Sequence, residues 1–283
     1  MPKRKGIEKN YTHPFIIWIK KNMCVASSGD NWTHTSIGSP AASYYIKHSD
    51  IEDFLNMYHK AVFEDKVPTH LTERITDCNY TPLKIDLDFK YFRKNCIRIY
   101  KKEDIYKICQ IYMEELEKYL TPLDTDEREF FILEKSKAVF DLNKNGEKKI
   151  NWVEKMDDDN NIIYYNEFLN LEKNTKPNND DILYKIKDGV HIMAPNIVIN
   201  EYLQLIIREN VYKRVDSFLD KYEFSNSYAD IFDKAVIDRN NWQMYGSSKP
   251  NKESYLVTDV IKVWKDKYEK AVNIIYSNKE LIK

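Results

Sequence analysis

Two aspartates one residue apart, Asp86 and Asp88 in the stretch KIDLDFKY, have types and spacing that could do chemistry. Residues two apart on an extended segment project from one face, roughly 7 Å from each other. Two carboxylates so placed could share a pair of divalent cations. Leu83, Ile85, Leu87 and Phe89 fall on the opposite face. A solvated strand also carries alternating charge. Aspartate, however, is depleted in strands and like charges repel on one face, so this pair needs something to compensate it.

Two further stretches offer partners. In KDGVHIM, Lys187, Gly189 and His191 share one strand face, with Val190 and Ile192 on the other. An ammonium and an imidazole flanking a glycine that leaves approach open suit an oligo-anion such as a triphosphate; a structural histidine beside a surface lysine would look the same. The segment IFDKAVIDRNNWQMYGSSKP carries Asp233 and Asp238, either of which could be a third acid, followed by Asn240, Asn241, Ser247, Ser248 and Lys249. Its GSSK turn can donate hydrogen bonds and one positive charge to phosphate oxygens, though it lacks the P-loop spacing. Three carboxylates to hold two divalent ions, with cations to neutralise a triphosphate, amount to the chemistry of nucleotidyl transfer.

These residues must be positioned by regular elements. HPFIIWIK (13–20) reads as a strand, and the capping-box pattern at Ser49 starts a helix over 50–64. THLTERIT reads as a short strand pairing with KIDLDFKY in a hairpin, which would bring Arg74 near Asp86 and Asp88. A helix is expected over 103–120, a strand in EREFFILEKS, and an exposed polar insertion over 143–181 with a short hairpin near 162–165. KIKDGVHIMAP reads as a strand ended by Pro195, followed by a helix over 197–220, a strand near 228–236 and a last helix over 258–276.

Whole-chain properties set limits. The chain has 283 residues, long enough for one large α/β unit with insertions. Its 44 Lys and Arg nearly balance 45 Asp and Glu, so nucleic acid would have to be met by a local patch rather than a basic surface. An abundance of Tyr, Asn, Ile and Lys with only 6 Gly resembles proteins of AT-rich genomes. Cys24, Cys78, Cys96 and Cys109 form no C-x-x-C pair, so neither a zinc knuckle nor a disulfide framework is indicated. The amino terminus is polar and basic, without an apolar signal-like run, and no stretch approaches the ~18 apolar residues of a membrane span. A soluble, intracellular protein is expected, with a basic flexible tail over 1–12 and one catalytic domain over 13–283.

The order DLD, then GVHI, then FDKAV-x-x-x-NNW-x-x-YGSSKP resembles the archaeo-eukaryotic primase superfamily. Within it, the chain is similar to the amino-terminal primase domain of the primase-helicases of large eukaryotic DNA viruses of the poxvirus and giant-virus type. HTSIGSPAASYYI, YHKAVFEDKVPTHLTER and YGSSKPNKESYLVTDV extend the likeness over nearly the whole chain outside the insertion. The resemblance implies an α/β (α+β) fold, with an RRM-like antiparallel sheet backed by helices and completed by an amino-terminal αβ unit. It implies primer synthesis on a single-stranded DNA template from nucleoside triphosphates, with Mg²⁺ or Mn²⁺ as cofactor, a superfamily-3 helicase domain or subunit as partner, and a viral replication compartment as location.

Carried over by position, Asp86, Asp88 and Asp233 are the implied metal-binding and catalytic acids. Asp233 is favoured over Asp238 because it precedes the AV-x-x-x-N pattern. His191 is the implied triphosphate contact of a second motif whose usual serine is Gly189 here, so the hydroxyl's hydrogen bond must come from the backbone or elsewhere. Lys187, Ser247, Ser248 and Lys249 are expected to grip the nucleotide, Asn241 and Tyr245 to shape the sugar pocket, and Arg74 to assist. A two-metal nuclease would share the acids without needing the triphosphate grip, and a silent nucleic-acid-binding module of a helicase would need neither. No Walker motif is present, which fits an excised or separately encoded primase domain.

Overall fold

His13 caps the first helix, α1 (Pro14–Lys21): its ring nitrogen accepts from the Phe15 amide at 3.2 Å, and proline occupies the first turn, where no amide partner is missed. This is the segment expected as a strand. Phe15 and Ile19, one helical turn apart, are its buried residues, and a short unbroken apolar run does not distinguish the two periods. The computed structural model describes residues 13–24, 32–38, 41–74, 80–121, 123–166, 168–270 and 277–281. The basic tail and Cys78 lie outside these described residues.

The amino-terminal unit continues with strands β1 (Met23–Cys24), β2 (His34–Ser36) and β3 (Ala42–Tyr44), helix α2 (Ile51–His59), which runs on as a π-helical turn over Lys60–Glu64, and strand β4 (Leu71–Glu73). Helix α2 occupies the expected span. Phe15, Phe54 and Tyr58 pack as one aromatic cluster, with Phe54 also against the His34 ring at 4.9 Å. Strand β4 pairs with β2 and not with KIDLDFKY, so the expected hairpin does not form.

Next come β5 (Tyr80–Arg93), α3 (Lys102–Leu116), β6 (Glu129–Glu134) and β7 (Val139–Phe140). The 143–181 insertion is more ordered than a hairpin: β8 (Trp152–Met156), β9 (Ile162–Asn166) and β10 (Leu171–Lys173) form an antiparallel meander, tied at its base by the Trp152 indole donating to the Asp181 carbonyl at 3.1 Å. The 17-residue strand β11 (Tyr184–Asn200) passes through Pro195 instead of ending there, because its register with β5 shifts between Ala194 and Val198 and the proline falls in that irregularity. Helix α4 (Glu201–Tyr212) then starts at Asn200, whose side chain accepts from the Leu203 amide at 2.8 Å, and a separate short helix, α5 (Asp216–Leu219), follows.

Two other expectations are corrected. The strand near 228–236 is a pair of single-turn helices, α6 (Tyr228–Ile231), capped by Ser227, and α7 (Ala235–Asp238), with only Phe232 bridging to Leu87. The helix over 258–276 is instead a hairpin. After β12 (Trp242–Gln243), β13 (Leu256–Val263) pairs with β6 and with β14 (Tyr268–Lys270), and residues 271–276 fall outside the described set. The β-branched residues Val257, Thr258, Val260, Ile261 and Val263 suit a pleated surface, which outweighs the helical spacing of the apolar residues. A last turn, α8 (Asn278–Leu281), closes the described chain.

The result is a mixed α+β architecture. A six-stranded sheet runs β14-β13-β6-β11-β5 with β7 beside β11, and a five-stranded sheet runs β1-β3-β2-β4-β12. Leu83, Ile85, Leu87, Phe89 and Tyr91 of β5 are buried with residues of α3 and α4 in the main core, so the helices cover that face. The other face of β5, with Lys84, Asp86 and Asp88, is turned toward the amino-terminal unit. Lys84 is therefore only 5% exposed, and burial lowers its pKa to about 8, opposed by the charge of Glu73. Strand β5 is a sheet edge, and the chain after α5 runs along it: the Asn226 side chain donates to the Asp88 carbonyl at 2.8 Å and accepts from the Lys90 amide at 3.0 Å.

Candidate active site

Antiparallel pairing sets the geometry. Gly189 lies directly opposite Asp88 and His191 opposite Asp86, so the two chemistry-bearing stretches share one face of one ladder. Asp233 arrives from the chain that borders β5. Its amide donates to the Asp86 carbonyl at 2.9 Å, and its Oδ1 accepts from the Ala235 amide at 2.9 Å. The buried Arg208 guanidinium of α4 donates to the Phe232 and Ala229 carbonyls and holds this connection in place. Asp86, Asp88 and Asp233 thus each offer an oxygen, all within 4.8 Å of one another. Asp238 turns away and pairs with Arg239 at 3.0 Å.

Such crowding has an electrostatic consequence. Asp86 Oδ1 is buried without a hydrogen-bond partner. Burial, together with the charges of Asp88 and Asp233, pushes its carboxyl well above the ordinary aspartate range, opposed by Lys249 and Lys135. An all-oxygen, all-carboxylate donor set with an orphaned oxygen fits a hard divalent cation. These three residues could hold a metal ion.

The acids lie in a cleft of about 780 Å³ between the two sheets, a volume within the range of small-molecule sites. One wall carries Lys187, Gly189 and His191; the other carries Trp32, Thr35, Thr72 and Asn241. His191 is flanked by two rings. Tyr255 stacks on it with centroids 3.6 Å apart and planes at 18°, and Trp242 lies 4.8 Å away. Its Nε2 is 3.6 Å from Asp86 Oδ1. Burial, with help from Lys135 and Lys249, lowers its pKa to about 3, so the ring is neutral at physiological pH.

The expected nucleotide-binding residues divide into two groups. Lys249, Lys187, Gly189, His191 and Asn241 line the cleft. Lys187 is already paired with Asp141 at 3.0 Å; burial works against that carboxylate, but Lys187 and Lys149 outweigh it and hold it below the usual range. Asn241 donates to Thr35 Oγ1 at 3.0 Å, tying β12 to β2. Ser247, Ser248, Tyr245 and Arg74 are not among the lining residues. Ser247 is fully buried, with its hydroxyl shared among Tyr58, Thr69 and the Leu71 amide. Ser248 fastens to Thr69 and His70 through its backbone, Tyr245 stacks on Phe63, and Arg74 lies over the Trp32 ring at 4.2 Å. The GSSK turn is therefore an anchor that presents Lys249. Gly246, at φ +84°, makes the sharp bend, where a Cβ would strike Phe63 at 2.5 Å.

Sequence reasoning missed Lys135, Tyr255 and Trp242. Lys135 follows β6, lies over the Tyr255 ring at 4.3 Å and acts on Asp86 and Asp88. Nothing in its sequence neighbourhood marks it. Tyr255 and Trp242 are single aromatics in stretches that read as helix-preceding or loop, and only the pairing of β13 with β6 and β12 with β4 turns them toward the cleft.

Residues 33–261 match the protein family described as the C962R protein N-terminal AEP (archaeo-eukaryotic primase) domain. The chain is 27% identical over 225 residues to a protein of Acanthamoeba polyphaga mimivirus named "Putative helicase L207/L206", covering 79% of this chain and 19% of that protein. It is 22% identical over 236 residues to "Putative helicase 184R" of Invertebrate iridescent virus 6, covering 77% of this chain and 20% of that protein. The chain spans about one fifth of the length of these curated relatives. Among the described residues, no helix is long and apolar enough to cross a membrane.

Proposed function

Because this chain belongs to the C962R-type archaeo-eukaryotic primase domains, we propose that its cleft synthesises primers on single-stranded DNA from nucleoside triphosphates. The observation that carries this reading is the convergence of Asp86, Asp88 and Asp233 within 4.8 Å at a cleft that also holds Lys135 and Lys249. Mg²⁺ or Mn²⁺ held by the three acids would supply the charge that activates a 3′-hydroxyl and stabilises departing pyrophosphate.

The chain's own residues do the rest. Lys249 and Lys135 offset triphosphate charge. Lys252 and Lys137 line the same cleft and extend that field. His191, neutral and held between two rings, offers one N–H without adding charge beside the acids. Trp32, at the cleft wall with Arg74 over it, gives a base a surface to stack on, and Arg239 and Asn240 line the same side. Single-stranded template would thus follow a local aromatic and basic track, consistent with an overall net charge of −1. Since both relatives are named helicases and this chain spans one fifth of them, a helicase region or subunit, of superfamily 3, is the proposed partner in a viral replication compartment.

The test is incorporation of labelled nucleotides by the purified chain on single-stranded DNA without added primer, in Mn²⁺ or Mg²⁺. Wild type should yield short products and Asp88→Ala none. Metal-dependent shortening of the DNA without synthesis would mark a nuclease. Template binding with neither reaction would mark a silent module.

A further inference from the structure

Gly189 faces Asp88 in a crowded place. A Cβ built on it would lie 2.6 Å from the Tyr255 hydroxyl, 3.1 Å from the Leu87 carbonyl oxygen and 3.5 Å from Asp88 Oδ1. The expectation that this glycine leaves open space for a ligand is therefore corrected: the space is taken by the hydroxyl of Tyr255, the residue just before β13. A side chain at 189 and a hydroxyl at 255 exclude one another, because 2.6 Å is well inside carbon–oxygen contact and Leu87 backbone closes the alternative direction.

The tyrosine is tightly specified. Its ring is stacked on His191 at 3.6 Å on one side, Lys135 lies 4.3 Å from its centroid, and little of it is exposed. The ring is thus committed to packing, but the hydroxyl makes no hydrogen bond to a protein group among the described residues, although the residue lines the cleft beside the acids. The oxygen is not among the buried atoms left without a partner, so its hydrogen-bonding capacity is open to the cleft and free for a ligand to use.

We propose that the Tyr255 hydroxyl is a substrate-binding donor, giving its hydrogen bond to a phosphate oxygen of the nucleoside triphosphate from the position that the missing side chain of Gly189 leaves free. The inference rests on the nucleotidyl-transfer reading and names a contact within that site. Phosphate oxygens are the acceptors the cleft would bring there. The carboxylates of Asp86 and Asp88 would be engaged by cations, Lys135 and Lys249 attract an anion, and the phenol adds a neutral, directional donor between them. Position 189 and position 255 then act as one unit, in which the hydroxyl can be supplied from either strand but not from both.

The experiment measures binding of a fluorescent, non-hydrolysable nucleoside triphosphate to the full chain in Mn²⁺, with primer synthesis and melting temperature alongside. Tyr255→Phe keeps the stack on His191 and should weaken triphosphate binding about tenfold, the effect of one hydrogen bond to a charged acceptor, with the melting temperature unchanged. Gly189→Ser alone should weaken binding at least as much through the clash. Gly189→Ser combined with Tyr255→Phe should recover most of the affinity, because serine then brings a hydroxyl into the vacated space. Unchanged affinity in Tyr255→Phe while wild type binds and Asp88→Ala does not would overturn the assignment and leave the primase reading standing. A double variant no better than Gly189→Ser would overturn it as well. Absence of binding by wild type would overturn both.

Discussion

Removing one carboxylate from the acidic triad should stabilise the metal-free protein while abolishing its response to metal, and Asp86→Asn is the perturbation of choice. Asp86 faces two like charges within 4.8 Å. At an effective dielectric of about 20, each such pair of unit charges repels by roughly 3 kcal/mol. Lys249 and Lys135 return much of this, leaving a net penalty on the order of 2 kcal/mol in neutral, metal-free buffer. The sign follows from linkage. A carboxyl whose folded pKa is raised costs no stability below the ordinary aspartate range, and stability is lost as pH rises from there through the folded value. For a chain of this size 1 kcal/mol corresponds to about 2 °C, so Asp86→Asn should melt about 4 °C higher than wild type at pH 7.5 in EDTA. Mn²⁺ should raise the wild-type midpoint by linkage and leave the variant's nearly unmoved. Differential scanning fluorimetry across pH 5 to 8, with and without Mn²⁺, reads all of this. A variant that melts lower than wild type in EDTA, or that gains as much from Mn²⁺, would refute the electrostatic reasoning.

Other perturbations separate structure from chemistry. Arg98 pairs with Asp188 and Glu134, whose carboxylates are almost wholly buried; Glu134 keeps Lys102, Tyr100 and Thr258, so Arg98→Met should cost about 3–5 kcal/mol chiefly by stranding the Asp188 charge, read as a large fall in the urea midpoint. Ser247→Ala should cost on the order of 2 kcal/mol by leaving the Thr69 hydroxyl and the Leu71 amide short of a partner, while Tyr58 keeps the Tyr245 carbonyl, yet leave triphosphate affinity within about twofold, whereas Lys249→Ala should do the reverse. The buried His34 ring, lowered to about pKa 4 by desolvation, contributes stability that is complete above the ordinary histidine value and lost as pH falls toward 4. Its NMR signal should not titrate between pH 8 and 5, and a normal titration there would contradict its burial.

The acids and the histidine were legible because strand alternation is a local property: with period 2, Asp86 and Asp88 share a face whatever the strand pairs with, and so do Gly189 and His191. Residue spacing alone left Asp233 as one of two acids and the family resemblance favoured it over Asp238; what carries it to the other two is a bridge at Phe232 and a buried Arg208 far away in sequence. The carboxy-terminal stretch misled because its apolar residues satisfy a helical stripe, while its β-branched side chains found a partner in β6.

What the sequence by itself determined, then, is which residues share a face and the family to which their order belongs, since both depend on neighbours along the chain. Tertiary structure alone decided what lies across from that face. It turned the GSSK serines into anchors beneath α2, brought Lys135 to the acids, and filled the space over Gly189 with a tyrosine 66 positions away. Those outcomes follow from which strands pair and how the two sheets pack, and no local period encodes either.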